Sequence, residues 1–258
     1  MNVLHYNRLA WDESVARKNR WTQPVSGALV DLARSGEFKI VLTPTLPVPM
    51  DWFPELLDLP TLCLASGGGQ QAPLLAAAGA KVTVFDNSPR QLDQDRMVAD
   101  RDQLDIDLVQ GDMADLSVFA DEQFGLIFHP CSNCFAADVI PVWQECSRVL
   151  RKGGVLLAGF VNAVRYIFDD ERMENGSLKV CHRLPYSDLE HLDEPHIQSL
   201  IDAKSPLEFG HTLEDQIGGQ LRAGFALTGF YEDRYGDIDQ DPISQYMATF
   251  IATRAVKR

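Results

Sequence analysis

The chain is short of positive charge. Its 258 residues carry 23 lysines and arginines against 37 aspartates and glutamates, a formal net charge of −14. Holding a nucleic-acid backbone takes a concentrated basic surface that displaces counterions, so DNA or RNA is not an expected partner. The same shortage speaks against docking on anionic lipid. Long apolar runs are missing too. The most apolar stretch, residues 155–161, is far below the roughly 20 residues that cross a bilayer. The opening MNVLHYNRLAWDESVARKNRW has no signal-peptide core, and its charges are too mixed for a transit peptide. Five cysteines, at 63, 131, 134, 146 and 181, are an odd number in a chain large enough to bury a core without staples. They read as reduced thiols, and the expectation is a cytoplasmic protein with a small-molecule partner. Hydrophobic residues at 45% and charged residues at 23% are ordinary for a globular fold and argue against disorder. Neither an internal repeat nor a low-complexity segment is present.

Residues 5 to 35 read as two helices, with Pro24 suited to the first turn of the second and Gly36 to its end. Between Thr43 and Pro60 come Pro44, Pro47, Pro49, Pro54 and Pro60, too dense for regular ladders. Met50, Trp52 and Phe53 among them suggest that this stretch packs on something. A strict alternation then begins. TLCLA (61–65), KVTVFD (81–86), IDLVQGD (106–112), FGLIFHP (124–130) and VLLAGFV (155–161) are strand-like. The first runs through SGGG into a helix-like QQAPLLAAAG that Gly79 can end. Ser88-Pro89-Arg90-Gln91 combines an N-cap, a proline at the first helical position and the Gln of a capping box. Val139, Val142, Trp143, Cys146, Val149 and Leu150 form one apolar helix stripe, and Gly153-Gly154 turns the chain into the fifth strand.

Strands and helices at this spacing give a doubly wound, mostly parallel α/β sheet, whose ligands sit at the carboxyl ends of its strands. After Asn162 the pattern changes: a hairpin around Asn175-Gly176, an irregular stretch at 184–210, then a helix from Thr212 to Ala223 with Leu213, Ile217 and Leu221 on one face. ALTGFYED (226–233) and YMATFIATRA (246–255) close the chain as an antiparallel edge pair.

Three strand ends carry chemistry. Ser66-Gly67-Gly68-Gly69 lets backbone approach a ligand closely, with helix amides facing an anion. Asp86 ends the second strand, nineteen residues beyond Gly67, where a carboxylate can accept from both hydroxyls of a ribose. Asp112 ends the third, where it can accept from an adenine amine beside the Met113 backbone. Singly, each is a common turn or cap residue. A dinucleotide is the competing ligand, because Gly67-x-Gly69-x-x-Ala72 also satisfies the nicotinamide-cofactor pattern. Against it, about sixty residues precede the first strand, and the tail is antiparallel.

With TLCLASGGG, Asp86, QGDM (110–113) and RVLRKGG (148–154), the sequence resembles a class I S-adenosylmethionine-dependent methyltransferase over residues 60–161. The resemblance implies a Rossmann-like sheet of seven strands with an antiparallel last strand. It also implies S-adenosylmethionine as cofactor and S-adenosylhomocysteine as product. The cofactor site would comprise Ala65, Ser66, Gly67, Gly69, Gln70, Asp86, Asn87, Gln91, Asp112, Met113 and His129. Residues 1–60 would form an N-terminal helical and proline-rich lid, and 61–258 the core, with 162–223 inserted to build the acceptor pocket. Cys63 stands where the family usually has an acid, and Ala65 replaces the first loop glycine. Ser66, Gln70 or the N-terminal helices must then hold the methionine amino group. The same departures leave room for a module that binds the cofactor without transferring methyl.

His129 ends the fourth strand, next to Pro130, where the family places groups beside the transferring methyl. It is the candidate general base, and a histidine that merely walls the pocket is the plainer alternative. Cys131-x-x-Cys134 invites a zinc or redox reading, but zinc needs four ligands and Cys181-His182 is remote in sequence, so pocket lining is expected and no metal. His182, His191, His196 and His211 are spaced too irregularly to specify a metal and read as loop or cap residues. Trp11, Trp21, Trp52 and Phe53 suit either stacking on ligands or packing on the sheet.

Overall fold

The computed structural model describes residues 1–168, 177–236 and 241–258. One sheet of seven strands organises the chain: β1 (Pro60–Leu64), β2 (Lys81–Asp86), β3 (Ile106–Gln110), β4 (Phe124–His129), β5 (Leu150–Val161), β8 (Phe225–Asp233) and β9 (Phe250–Lys257). Its order is β3-β2-β1-β4-β5-β9-β8. The first five strands run parallel, and β9 is antiparallel to both β5 and β8. Two short strands, β6 (Tyr186–Ser187) and β7 (Phe209–Gly210), pair separately.

Alternate residues of the central strands feed opposite cores. Cys63, Leu126, Phe128, Val155 and Leu157 join one cluster with Val30 and Ala33 of α2 (Gly27–Arg34), Leu74 and Leu75 of α3 (Ala72–Ala77), and Leu92 and Val98 of α4 (Pro89–Asp102). Leu62, Leu64, Ile127 and Leu156 join the other, with Val142, Trp143 and Cys146 of α5 (Ile140–Val149). A slip of one residue would exchange the two faces, so burial on both sides fixes the register. It also explains why these strands read as continuous apolar runs. The proline-rich segment packs across the far end of this sheet. Trp52 lies on Tyr231 with ring centroids 5.2 Å apart, and a Cβ on Gly159 would stand 2.1 Å from Leu42 O.

Four local expectations change, and a fifth falls outside the described residues. The first helix, α1, spans Val3–Ala16. The next, α2, is capped by Ser26, whose Oγ accepts from Leu29 N, so Pro24 lies outside its first turn. Gly153-Gly154 sits inside β5, not before it. The register against β4 shifts between Phe124 and Leu126, and Gly153 takes φ +74 in that irregularity. The stretch 184–210 holds two helices, α6 (Asp188–His191) and α7 (Glu194–Ala203). Asp193 caps α7, and Ile197, Leu200 and Ile201 form a short i, i+3, i+4 stripe that the sequence reading passed over, although the helix buries no residue fully. The turn of the expected hairpin, Asn175-Gly176, lies outside the described residues, while an antiparallel bridge joins Phe168 and Val180.

The helix expected from Thr212 is a π-turn (Glu214–Gly218) running into α8 (Gly219–Arg222). Its expected face is reversed: Gln216 and Gln220 are buried, while Leu213 and Leu221 are 45% and 50% exposed. The extra residue of the π-turn rotates the helix, and the buried amides find partners in Asn133 and Thr253. None of the helices among the described residues is long and apolar enough to cross a membrane.

Candidate active site

The strand order reverses between β1 and β4, and a cavity of about 310 Å3 opens there at the carboxyl ends of β1 to β4. One half is made by consecutive turns. After β1 the backbone passes through Ala65 at φ +46 and Gly68 at φ +124, conformations that bring the loop amides round toward the next strand. The Gly67 amide donates to Asp86 Oδ2 (2.9 Å), and the Ser88 amide donates to Asp86 Oδ1 (2.9 Å). Burial pushes the Asp86 carboxyl up to about 6, against the pull of those amides and with a smaller push from Asp12. Ser88 caps α4 by accepting from Gln91 N (3.1 Å). The reciprocal arm of the capping box is not made, since Gln91 Oε1 is buried without a partner and faces the cavity wall. Asp112 Oδ1 accepts from Ala114 N (3.0 Å), which leaves its carboxylate at the cavity edge beside Met113.

Nine of the expected cofactor residues share this wall: Ala65, Ser66, Gly67, Gln70, Asp86, Asn87, Gln91, Asp112 and Met113. Gly69 and His129 do not. The Gly69 carbonyl accepts from Val25 N (2.9 Å), tying the loop to the N-terminal segment behind it. Gln70 Nε2 reaches the same segment, donating to Arg20 O (3.1 Å) and Gln23 O (3.0 Å).

His129 has no accessible surface, and both ring nitrogens are engaged inside the protein. Nδ1 donates to Leu64 O (2.9 Å), and Nε2 meets the Asn133 side-chain amide (2.5 Å). Burial pushes the ring's pKa down, against the pull of these two oxygen acceptors. Asn133 Oδ1 faces Nε2, and its NH2 donates to Gln216 Oε1 on the other side (3.1 Å). The ring braces the end of β1 against the turn after β4. Sequence position alone had put it beside the reacting atoms.

The second half of the cavity gathers distant segments. Trp11 of α1 meets Phe135 edge-on at 5.1 Å, and Tyr235 stacks near Phe250 at 6.0 Å. Thr43 and Pro44, Cys131 and Cys134, Arg165 and Glu208 complete it. Burial pushes both thiols up, so they stay protonated. No group of three potential metal ligands occurs among the described residues. Arg165 lies 3.1 Å from the fully buried Asp241, and Tyr166 OH donates to Glu208 (2.7 Å). Trp21 also lines the cavity, whereas Trp52 and Phe53 pack away from it. His211 is buried and donates toward Asn133 O and Ala136 O, so it is no solvated loop residue.

Sequence reasoning missed Arg165, Glu208, Tyr235 and Phe250, which no local pattern marks. It also missed Asp95, fully buried behind the glycine loop. Here a signal existed: an acid standing in the inward row Leu92, Asp95, Val98 of α4.

Comparison with known proteins gives the family. Residues 62–158 match the model of the methyltransferase domain. Over its full length the chain is 52% identical to the whole of "Uncharacterized methyltransferase YbaJ" from Bacillus subtilis. Among solved structures, an S-adenosylmethionine dependent methyltransferase from Mesorhizobium loti superposes with a TM-score of 0.62 at 17% identity, over 80% of this chain and 94% of that one. An arsenic(III) S-adenosylmethionine methyltransferase from Chlamydomonas reinhardtii gives 0.53 at 18% identity, over 92% and 74%. At such identities the structural matches speak for the fold, and the full-length relative speaks for the family. The competing dinucleotide reading of the glycine loop falls away with it. The chain belongs to the methyltransferases, the family of that full-length relative.

Proposed function

We propose that the protein methylates a small organic acceptor held in the aromatic half of the cavity that binds its cofactor. The observation that carries this reading is that one cavity is lined both by the glycine loop with Asp86 and Asp112 and by Trp11, Phe135, Tyr235 and Phe250. Its 310 Å3 matches the size of small-ligand sites. The net charge of −14 supports a small partner over nucleic acid or lipid, and five free cysteines support a cytoplasmic setting.

The residues present fit S-adenosylmethionine. One buried side-chain oxygen on the wall, Gln91 Oε1, has no partner in the protein and wants a ligand donor. Asp86 would accept from the ribose hydroxyls, and Asp112 with the Met113 backbone would hold the adenine. Ser66, Gln70 or the N-terminal segment would hold the methionine end. When bound, the cofactor supplies a methyl group already activated by the positive charge of its sulfur. The chain's task is therefore to align the acceptor in line with that methyl and to exclude water. The N-terminal segment contributes Leu4, Trp11 and Trp21, and the insert contributes Arg165 and Glu208, which supports their roles as lid and acceptor pocket. A His129 braced at both ring nitrogens and without accessible surface suits positioning of the wall better than proton transfer.

The test is calorimetric titration with S-adenosylmethionine and S-adenosylhomocysteine, followed by a screen of small acceptors for methylated product. Micromolar binding with turnover of a small acceptor is expected. Tight binding with methyl appearing only on protein or RNA would overturn the acceptor class, and binding without any product would favour a cofactor-binding module.

A further inference from the structure

The glycine loop does not hold its shape by itself. Ala65 and Gly68 both have positive φ, and a loop in that state stays put only when its surroundings over-determine it. From the cavity side Asp86 takes the Gly67 amide. From behind, α4 packs directly beneath the next two residues: a Cβ on Gly69 would stand 2.9 Å from Gln94 O and 3.1 Å from Val98 Cγ2. One turn after Gln91, that helix presents Asp95, which has no accessible surface. Asp95 Oδ2 accepts from the Gly68 amide at 2.9 Å, and the Gln91 carbonyl shares the same amide at 3.1 Å. Its other oxygen, Oδ1, is buried without a partner.

A carboxyl group so enclosed is costly. Burial pushes Asp95 up to about 8, the loop amides of Gly68 and Gly69 oppose that, and the Asp86 carboxylate adds to it. An apolar residue in the same row, between Leu92 and Val98, would avoid the cost, so the acid is retained for what it holds. The space it occupies abuts Cys63 on β1, also fully buried, whose thiol is pushed up by burial and by Asp95 in turn.

We propose that Asp95 is the positioning residue that fixes the glycine loop in its cofactor-binding shape, a carboxyl group supplied from α4 into the space that Cys63 leaves open on β1. It touches neither cofactor nor acceptor and acts through the Gly68 amide. The proposal rests on cofactor binding at this loop, and its test separates the two.

The full chain is compared with Asp95→Ala, Asp95→Asn and the double variant Cys63→Asp/Asp95→Ala. Hydrogen exchange of the loop amides is read without any ligand, and S-adenosylhomocysteine affinity is read by calorimetry. In Asp95→Ala, loop exchange is expected to speed up and affinity to fall by about tenfold to a hundredfold, the weight of one hydrogen bond to a charged or strongly polar acceptor. In Asp95→Asn, whose amide oxygen still accepts from Gly68, both readouts should stay within about threefold of the parent. In the double variant, a carboxyl group returned to the same space from β1 should recover most of the lost affinity. Unchanged loop exchange in Asp95→Ala would overturn the proposal, as would equal losses in Asp95→Ala and Asp95→Asn. If the double variant does not fold, the contrast of Ala with Asn decides alone. If the parent binds no S-adenosylhomocysteine, the cofactor reading fails while the exchange data still judge Asp95.

Discussion

The two halves of the cavity are built in different ways. The cofactor half comes from three consecutive strand ends within residues 65–113, and its contacts are backbone amides meeting Asp86, Asp95 and Asp112. The half proposed for the acceptor joins α1, the proline-rich segment, the turn after β4, the insert and β9, from Trp11 to Phe250, and is mostly aromatic and apolar. Polar backbone geometry fixes a ligand that does not vary. Side chains from loosely related segments can be exchanged without disturbing the sheet, which is how one fold serves many acceptors.

The sharpest break in that comparison is Asp86→Ala. Losing a carboxylate that takes Gly67 and the ribose should weaken S-adenosylhomocysteine by about a hundredfold in calorimetry, leaving the fold intact. On the other side, Trp11→Ala should raise the acceptor's KM about tenfold and leave S-adenosylhomocysteine within about threefold, given what one aromatic pair contributes. If Trp11→Ala weakened both ligands alike, the halves would not be separable.

The two halves should also respond differently to pH. Ionised Asp86 is the form that accepts ribose hydroxyls, so cofactor affinity should fall as pH drops below about 6, by up to about tenfold per unit. Stability should run the opposite way. The folded pKa values of Asp86 and Asp95, about 6 and about 8, lie above those of the unfolded chain. The folded state therefore binds more protons between about pH 4 and 8, and the stabilisation present at low pH is lost as pH rises through those values. Urea midpoints across this range should show that slope, and Asp95→Asn should flatten it.

Smaller effects sharpen the boundary between the halves. His129→Asn should lower stability by about 1–3 kcal/mol through the bonds to Leu64 and Asn133, while the pH profile of turnover keeps its shape. A missing acidic limb in that profile would restore His129 as a base. Ala65→Gly relieves a left-handed alanine at the cost of chain entropy, and should move stability by less than about 1 kcal/mol in a thermal melt.

Much of the cofactor half was legible because its signals are local. A glycine run after an apolar strand, an acid at the next strand end and a second acid one strand later are each read within a few residues. His129 shows the limit of that locality. Its place at the end of β4 was right, but whether its ring faces a ligand or a neighbouring strand depends on Leu64 and Asn133, which only packing brings to it. The helix after Thr212 failed for a related reason: a single π-turn rotated Leu213 outward and Gln216 inward, against the apolar periodicity.

What the sequence determined by itself is the sheet and the strand-end turns at which the cofactor is proposed to bind. Strand and helix periods and caps are dictated by each residue and its near neighbours. What only the tertiary structure decided is how distant residues meet: Arg165, Glu208, Tyr235 and Phe250 in one wall, and Asp95 beneath Gly68. Those meetings depend on how helices settle on both faces of a finished sheet, and no short stretch of chain contains that information.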